Sequence, residues 1–439
     1  MEHGAGHVAE LVGTIIGLLL IAAATLAFTK RINLPFSVAL VLVGIGLSYI
    51  AESGPLFLRP IAEYHISPEV ILYVFLPTLI FESAFNLDAR QLRQNLLPIL
   101  TLAVPGLLLS TAIIGTFVWT VTSAILSSPI PLPAALLLGA ILSATDPVAV
   151  IALFKQLGAP KRLTILVEGE SLFNDATSIV LSKILLGVAL AGYFTAETVF
   201  GGVLEFLGVF LGGIFIGWLA AIAVGLILGR VESDPFIETS LTTVLAYFSF
   251  LISEEVFHVS GVMATVAAGV TMGGWGRAKI SPSVAGYLEH FWEYLAYVCN
   301  ALIFLMVGLR VELTSLLHSI VPLVIVVIAM LISRAVVVFG LVPITGKLPN
   351  SHPINRGYQA VMFWGGLRGA IALAIVLHLP ESFAYAETFI ALVMGVVLFT
   401  LLVQGLSIGK LVHLFGLDQP PLSDRLAKAD GVLSAKRRA

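Results

Sequence analysis

Apolar residues gather along this chain in thirteen runs, each close to the 17–25 residues a helix needs to cross a hydrocarbon layer. By number they are 8–29, 34–50, 70–85, 97–122, 132–154, 163–190, 199–228, 236–254, 259–275, 291–309, 316–342, 358–379 and 384–414. Short polar or glycine-marked segments separate them, among them Lys30-Arg31, LDARQLRQN, KQLGAPKR, a turn holding Gly192, and SEEVFH. The pattern predicts an all-α polytopic membrane protein of 13 transmembrane helices.

The exceptions inside the runs carry more information than the runs. Asp146 lies in the fifth and Asp175, next to Asn174, in the sixth. A charge at the centre of a membrane helix costs about 2.5–3.5 kcal/mol on insertion scales, so two in adjacent spans mark an ion or proton site. The fifth span is interrupted at Asp146-Pro147, where the proline removes a helix donor and disfavours helical geometry before it. The twelfth holds Gly365, Gly366 and Gly369 around Arg368. Thirteen divides as six, one and six, and halves of that kind face opposite ways. The expectation is two inverted six-helix repeats whose discontinuous crossing helices, the fifth and twelfth, meet at the bilayer midplane.

Composition agrees with lipid as the solvent: 58% of residues are hydrophobic, 11% are charged, and mean hydropathy is +1.03. A net charge of −3 gives no reason to expect nucleic acid. One cysteine, Cys299, forms no internal disulfide and lacks the partners of a metal or redox motif. The first ten residues lack the basic region of a signal peptide, so the first helix is expected to stay. With the C-terminus cytoplasmic, 18 of the 23 Lys and Arg fall inside, only Arg59 and Arg310 fall outside, and Lys183, Arg334 and Arg368 lie within spans. That bias predicts an external N-terminus and a multi-pass protein of the cell membrane.

In the sixth span the helical period puts Ser171 and Asp175 on one face, with Ser178 near it, and Glu170, Asn174 and Thr177 on the adjoining face. Hard monovalent cations are held by such oxygens. A break in the fifth helix adds the Thr145 hydroxyl, freed carbonyls and Asp146. The structural alternatives are a polar helix contact for Asp175 and, for Asp146, satisfaction of loose backbone donors. Burial makes a carboxylate's charge costlier, so a buried acid can exchange a cation for a proton near neutral pH. Asn174 supplies hydrogen bonds without a second charge, which points to electroneutral exchange. Arg334 needs a partner, for which Glu170 is the choice, and Arg368 is assigned to the broken backbone of its own span. Glu82 suits either an access path or an interface. Lys183, about 12 Å beyond Asp175 by helix rise, reads as reaching outward. Histidines 258, 318, 352 and 378 lie near span ends, and Glu289 with Glu293 reads as an interfacial face.

SATDPVAV, VEGESLFNDATSIV, SRAVVV and FWGGLRGAIALA together resemble the monovalent cation/proton antiporter family that includes prokaryotic NhaP proteins and the plant and animal sodium/proton exchangers. The resemblance runs through nearly the whole chain in span order. It implies a homodimer without a cofactor, working on Na+ and H+. Its exchanger domain would be 1–414, with scaffold spans in 8–86 and 236–309, a linker span 199–228, and moving core spans in 97–190 and 316–414. Asp175 would bind cation and proton, with Thr145 and Ser171 as further Na+ ligands and Asp146 and Asn174 beside them. Glu170 and Arg334 would form an ion pair, Arg368 would brace the crossing helices, and Glu82 would line a cytoplasmic funnel. Ala176 stands where many relatives have glycine, and residues 415–439 form a much shorter tail than the plant and animal members carry. K+/H+ or mixed exchange remains open, as does, from another class, an intramembrane aspartyl protease built on Asp146 and Asp175, though its motif is absent. A channel is disfavoured by the lack of a repeated filter segment.

Overall fold

The structure is a computed structural model, and it describes residues 2–32, 34–53, 68–125, 129–191, 196–231, 233–311, 319–347, 353–380 and 382–418. Arg59, His318, His352 and residues 419–439, most of the expected tail, lie outside the described residues. Every regular element among the described residues is helical.

Among the described residues, nine helices are long and apolar enough to cross a membrane by length and composition. They include α1 (Glu2–Ile32), α4 (Ala89–Ile125), α7 (Lys161–Ala191), α8 (Ala196–Leu228) and α9 (Pro235–Val256). They also include α11 (Pro282–Leu309), α12 (Ile320–Thr345) and α15 (Ala386–Leu414). The ninth, Leu132–Leu157, is two pieces, α5 (Leu132–Ser143) and α6 (Val148–Leu157). Shorter apolar helices are α2 (Phe36–Ser53), α3 (Ile71–Asn86) and α10 (Gly261–Gly274). The expected twelfth span is again two pieces, α13 (Arg356–Trp364) and α14 (Ala370–Leu377).

Caps and small residues set the geometry. Asp88 accepts backbone N–H bonds from Arg90 and Gln91 at 3.0 Å and starts α4, and Asp234 does the same for α9. Helices α8 and α10 pack so closely that a Cβ on Gly217 would lie 1.9 Å from the Ala264 carbonyl oxygen. Small residues at such crossings let backbones approach where lipid offers no hydrophobic drive to association. Wide π-type turns interrupt α4 at Leu102–Gly106, α12 at Val337–Leu341 and α15 at Thr400–Gly405, a feature frequent at functional sites. All three flank the two broken spans.

Candidate functional site at the crossing of two broken helices

After Ser143 the helix stops: Ala144 is extended, and the chain stays non-helical to Pro147 before α6 begins. Residues 366–369 are likewise non-helical between α13 and α14. The two unwound segments meet. Asp146 donates its backbone N–H to the Leu367 carbonyl at 2.8 Å. Its carboxylate accepts from Val148 N at 3.0 Å and, across the crossing, from Ala370 N at 3.3 Å. One acid therefore satisfies the orphan donors at the starts of both α6 and α14, where the helix dipoles also favour negative charge.

Gly369 makes this contact possible. A Cβ there would sit 1.8 Å from an Asp146 carboxylate oxygen and 2.5 Å from its Cβ and Cγ. Gly369→Ala is expected to force the segments apart at a cost of about 1–3 kcal/mol or more. Exchange in vesicles should drop at least severalfold, with a lowered melting temperature of the purified protein; wild-type values in both would contradict the contact.

Asp175 lies on the long helix α7, which passes beside the first break. Ser171, one turn earlier, donates to the Thr145 carbonyl at 2.5 Å and lies 3.4 Å from an Asp175 carboxylate oxygen. Asn174 donates from Nδ2 to Thr145 Oγ1 at 2.7 Å and accepts from Thr145 N at 3.3 Å. Thr145, Ser171 and Asn174 are buried, whereas Asp175 and Asp146 keep part of their surface open. Ser178 faces the α5 backbone, donating to Ala140 O at 2.8 Å. The donor set is rich in oxygen and contains two carboxylates, which suits a hard monovalent cation. The carboxylates are engaged separately, Asp146 with backbone N–H groups and Asp175 with Ser171, so no shared-proton dyad of a protease is seen.

Behind this layer stand the cations. Arg334 on α12 makes a two-pronged contact with both Glu170 oxygens, and its guanidinium also donates to Met362 O at 2.9 Å. Arg368 is 1% exposed, donates from its backbone N to Thr400 Oγ1 at 3.1 Å and from Nη1 to Gly366 O at 3.2 Å. Thr400 opens the wide turn of α15. Lys183, expected to reach outward, is ion-paired with Glu254 at the end of α9.

A cavity of about 370 Å³ leads to Asp175. Its walls carry Glu82 and Ser83 from α3, Lys155 from α6, Glu168, Ser171 and Asp175 from α7, and Glu293 from α11. Glu293 and Lys155 are exposed, Glu82 and Glu168 are half-buried, and Asp175 lies near the break, so the cavity deepens from the end of the bundle where α6 finishes and α7 starts. Following Asp175 along α7, Ala176, Ile179 and Val180 belong to a buried apolar cluster with Phe210, Phe250, Val262 and Val266. Glu293 was read from sequence as interfacial. The signal that places it was present: Glu293, Tyr297 and Asn300 recur at i, i+4 and i+7 on α11, and all three line the cavity.

The profile of a family described as "Sodium/hydrogen exchanger, transmembrane" matches residues 16–414. Among curated relatives, the Na(+)/H(+) antiporter ApNhaP of Aphanothece halophytica is 39% identical over 388 residues, 88% of this chain and 70% of that protein. The Na(+)/H(+) antiporter NhaG of Bacillus atrophaeus is 36% identical over 439 residues, 95% of this chain and 77% of that protein. The solved structure of the sodium proton antiporter MjNhaP1 from Methanocaldococcus jannaschii at pH 8 shares the fold, with a TM-score of 0.70 at 18% identity, covering 92% of this chain and 99% of that one.

Proposed function

Given that the chain belongs to the transmembrane sodium/hydrogen exchanger family, we propose that it exchanges Na+ or Li+ for H+ by alternating access, the two competing for Asp175. It is a multi-pass transporter and not an enzyme. The observation that carries the reading is the placement of Asp175. It lies at the deep end of a cavity beside two crossing helix breaks, and a buried apolar cluster follows it along α7. Thr145 and Ser171 offer further oxygens to the cation, while Asn174 and Asp146 hold the break in place.

The moving core comprises the spans in 97–190 and 316–414, and the scaffold those in 8–86 and 236–309, with 199–228 between them. A homodimer assembled through the scaffold, in the cell membrane with the C-terminus cytoplasmic, fits this division and makes the cavity a cytoplasmic funnel bordered by Glu82. The Glu170–Arg334 pair and Arg368 keep α7, α12 and the crossing together as one body. The test is exchange by purified protein in proteoliposomes with Na+, Li+ and K+ in turn over a range of pH. Exchange of K+ alone would replace the ion; absence of cation-dependent proton movement would end the reading.

The site holds one carboxylate for the traded ions, and Asn174 adds no second charge. One Na+ for one H+ moves no net charge, so exchange rates should be unchanged when the vesicle voltage is clamped at different values. An exchange carrying one net charge would instead feel about 2.3 kcal/mol per 100 mV. A steep voltage dependence would refute one-for-one exchange.

A further inference from the structure

We propose that Glu168 and Lys155 are opposed affinity-setting charges, which respectively raise and lower the cation affinity of Asp175 through the cavity without touching the ion. This rests on the antiport reading above. Glu168 precedes Asp175 by seven residues, two turns of α7, which puts both on one face about 10 Å apart by helix rise. Both line the same cavity, with Ser171 between them. Lys155 reaches the cavity from α6, Glu82 from α3 and Glu293 from α11, while Asp146 lies at the deep end. Besides Asp175, four carboxylates and one ammonium thus line the cavity.

Glu168 is not arranged as a ligand. About two turns of α7 separate it from Asp175, too far for its oxygens to reach an ion held there. Among the described residues, Glu168 accepts a long hydrogen bond from the Ser83 hydroxyl, at 3.5 Å. What remains is Coulombic action. A unit charge about 10 Å away, at an effective dielectric constant between about 20 and the 80 of water, changes the affinity for a monovalent cation about two- to fifteenfold. The low-dielectric walls focus that field along the cavity. Such an action depends on charge and is indifferent to ionic radius, unlike direct ligation.

The experiment measures KM and maximal rate for Na+ and for Li+ in proteoliposomes of known orientation, with the cation supplied to each face in turn. For Glu168→Gln, KM at the cavity's face should rise about two- to fifteenfold for both ions by the same factor, with the maximal rate retained. Added choline chloride should shrink the difference by screening. Glu168→Asp should stay near the wild type, and Lys155→Gln should lower KM. A purely structural role would not produce opposite signs in the two variants. An unchanged KM in Glu168→Gln, a rise in both variants, or unequal factors for Na+ and Li+ overturns the proposal while leaving antiport intact. Failure of the wild-type protein to exchange any monovalent cation for protons removes the antiport reading, and this inference with it.

Discussion

Asp175→Asn is expected to reduce cation-dependent proton movement to the background of empty vesicles, while the protein still inserts and purifies as a folded species. The substitution keeps the shape of the side chain and its contact with Ser171, so nothing in the packing around α7 has to move. The neighbours that hold the helix, Ser171 on the Thr145 carbonyl and Asn174 on the Thr145 hydroxyl, are untouched. What disappears is the Asp175 carboxylate at the deep end of the cavity, the group that exchanges a proton. An amide offers a cation only a carbonyl dipole and cannot titrate, so neither half of the exchange survives. The measurement is sodium-driven relief of an imposed pH gradient in vesicles, with size-exclusion chromatography of the same preparation as the control for folding. Retained exchange in a well-folded variant would remove Asp175 from its role. Asp146→Asn is a useful contrast: its carboxylate serves backbone donors of two helices, so that variant should lose stability together with transport.

The broad architecture and the deep end of the site were legible because lipid imposes simple rules on sequence. An apolar run must be a helix, and a charge within it must have a use. Asp146-Pro147 and the glycines around Arg368 announced the two breaks for the same reason, since proline and glycine disturb helices in ways sequence alone reveals. Pairing across spans was legible only in part. Glu170 could be matched with Arg334 because few buried countercharges exist, but the second use of Arg334, on the Met362 carbonyl, depends on how α13 ends. The cavity walls were hidden further. Glu293 comes from a span far from Asp175 in sequence, while Lys155 ends the span just before it, and a charge near a helix end reads equally well as interfacial. Lys183 reads from sequence as reaching outward without a partner, because Glu254 sits in a wide turn that no local pattern predicts.

The second large effect is expected from breaking the Glu170–Arg334 pair. Glu170 is 2% exposed and the Arg334 side chain 11% exposed, so removal of either leaves an uncompensated charge in the protein interior. Such losses cost about 3–5 kcal/mol, and more than the pair is involved. The Arg334 guanidinium also holds the Met362 carbonyl near the end of α13, and a Cβ on Gly366 would lie 2.8 Å from Arg334 Nε. One planar side chain therefore ties α7, α12 and the second helix break together. Arg334→Met should lower the melting temperature sharply and depress exchange, because the break that carries Gly369 loses its tether. Arg334→Lys should recover little, since an ammonium cannot reproduce the planar fork that spans two oxygens and a carbonyl. Combining Arg334→Met with Glu170→Gln should restore a large share of the stability by removing the orphaned carboxylate, but not the exchange rate, because Met362 is still unheld. The separation of stability from transport in the double variant is the result that distinguishes a tether from a simple ion pair. If the double variant recovers both, the link from Arg334 to the crossing is not what keeps the site in order.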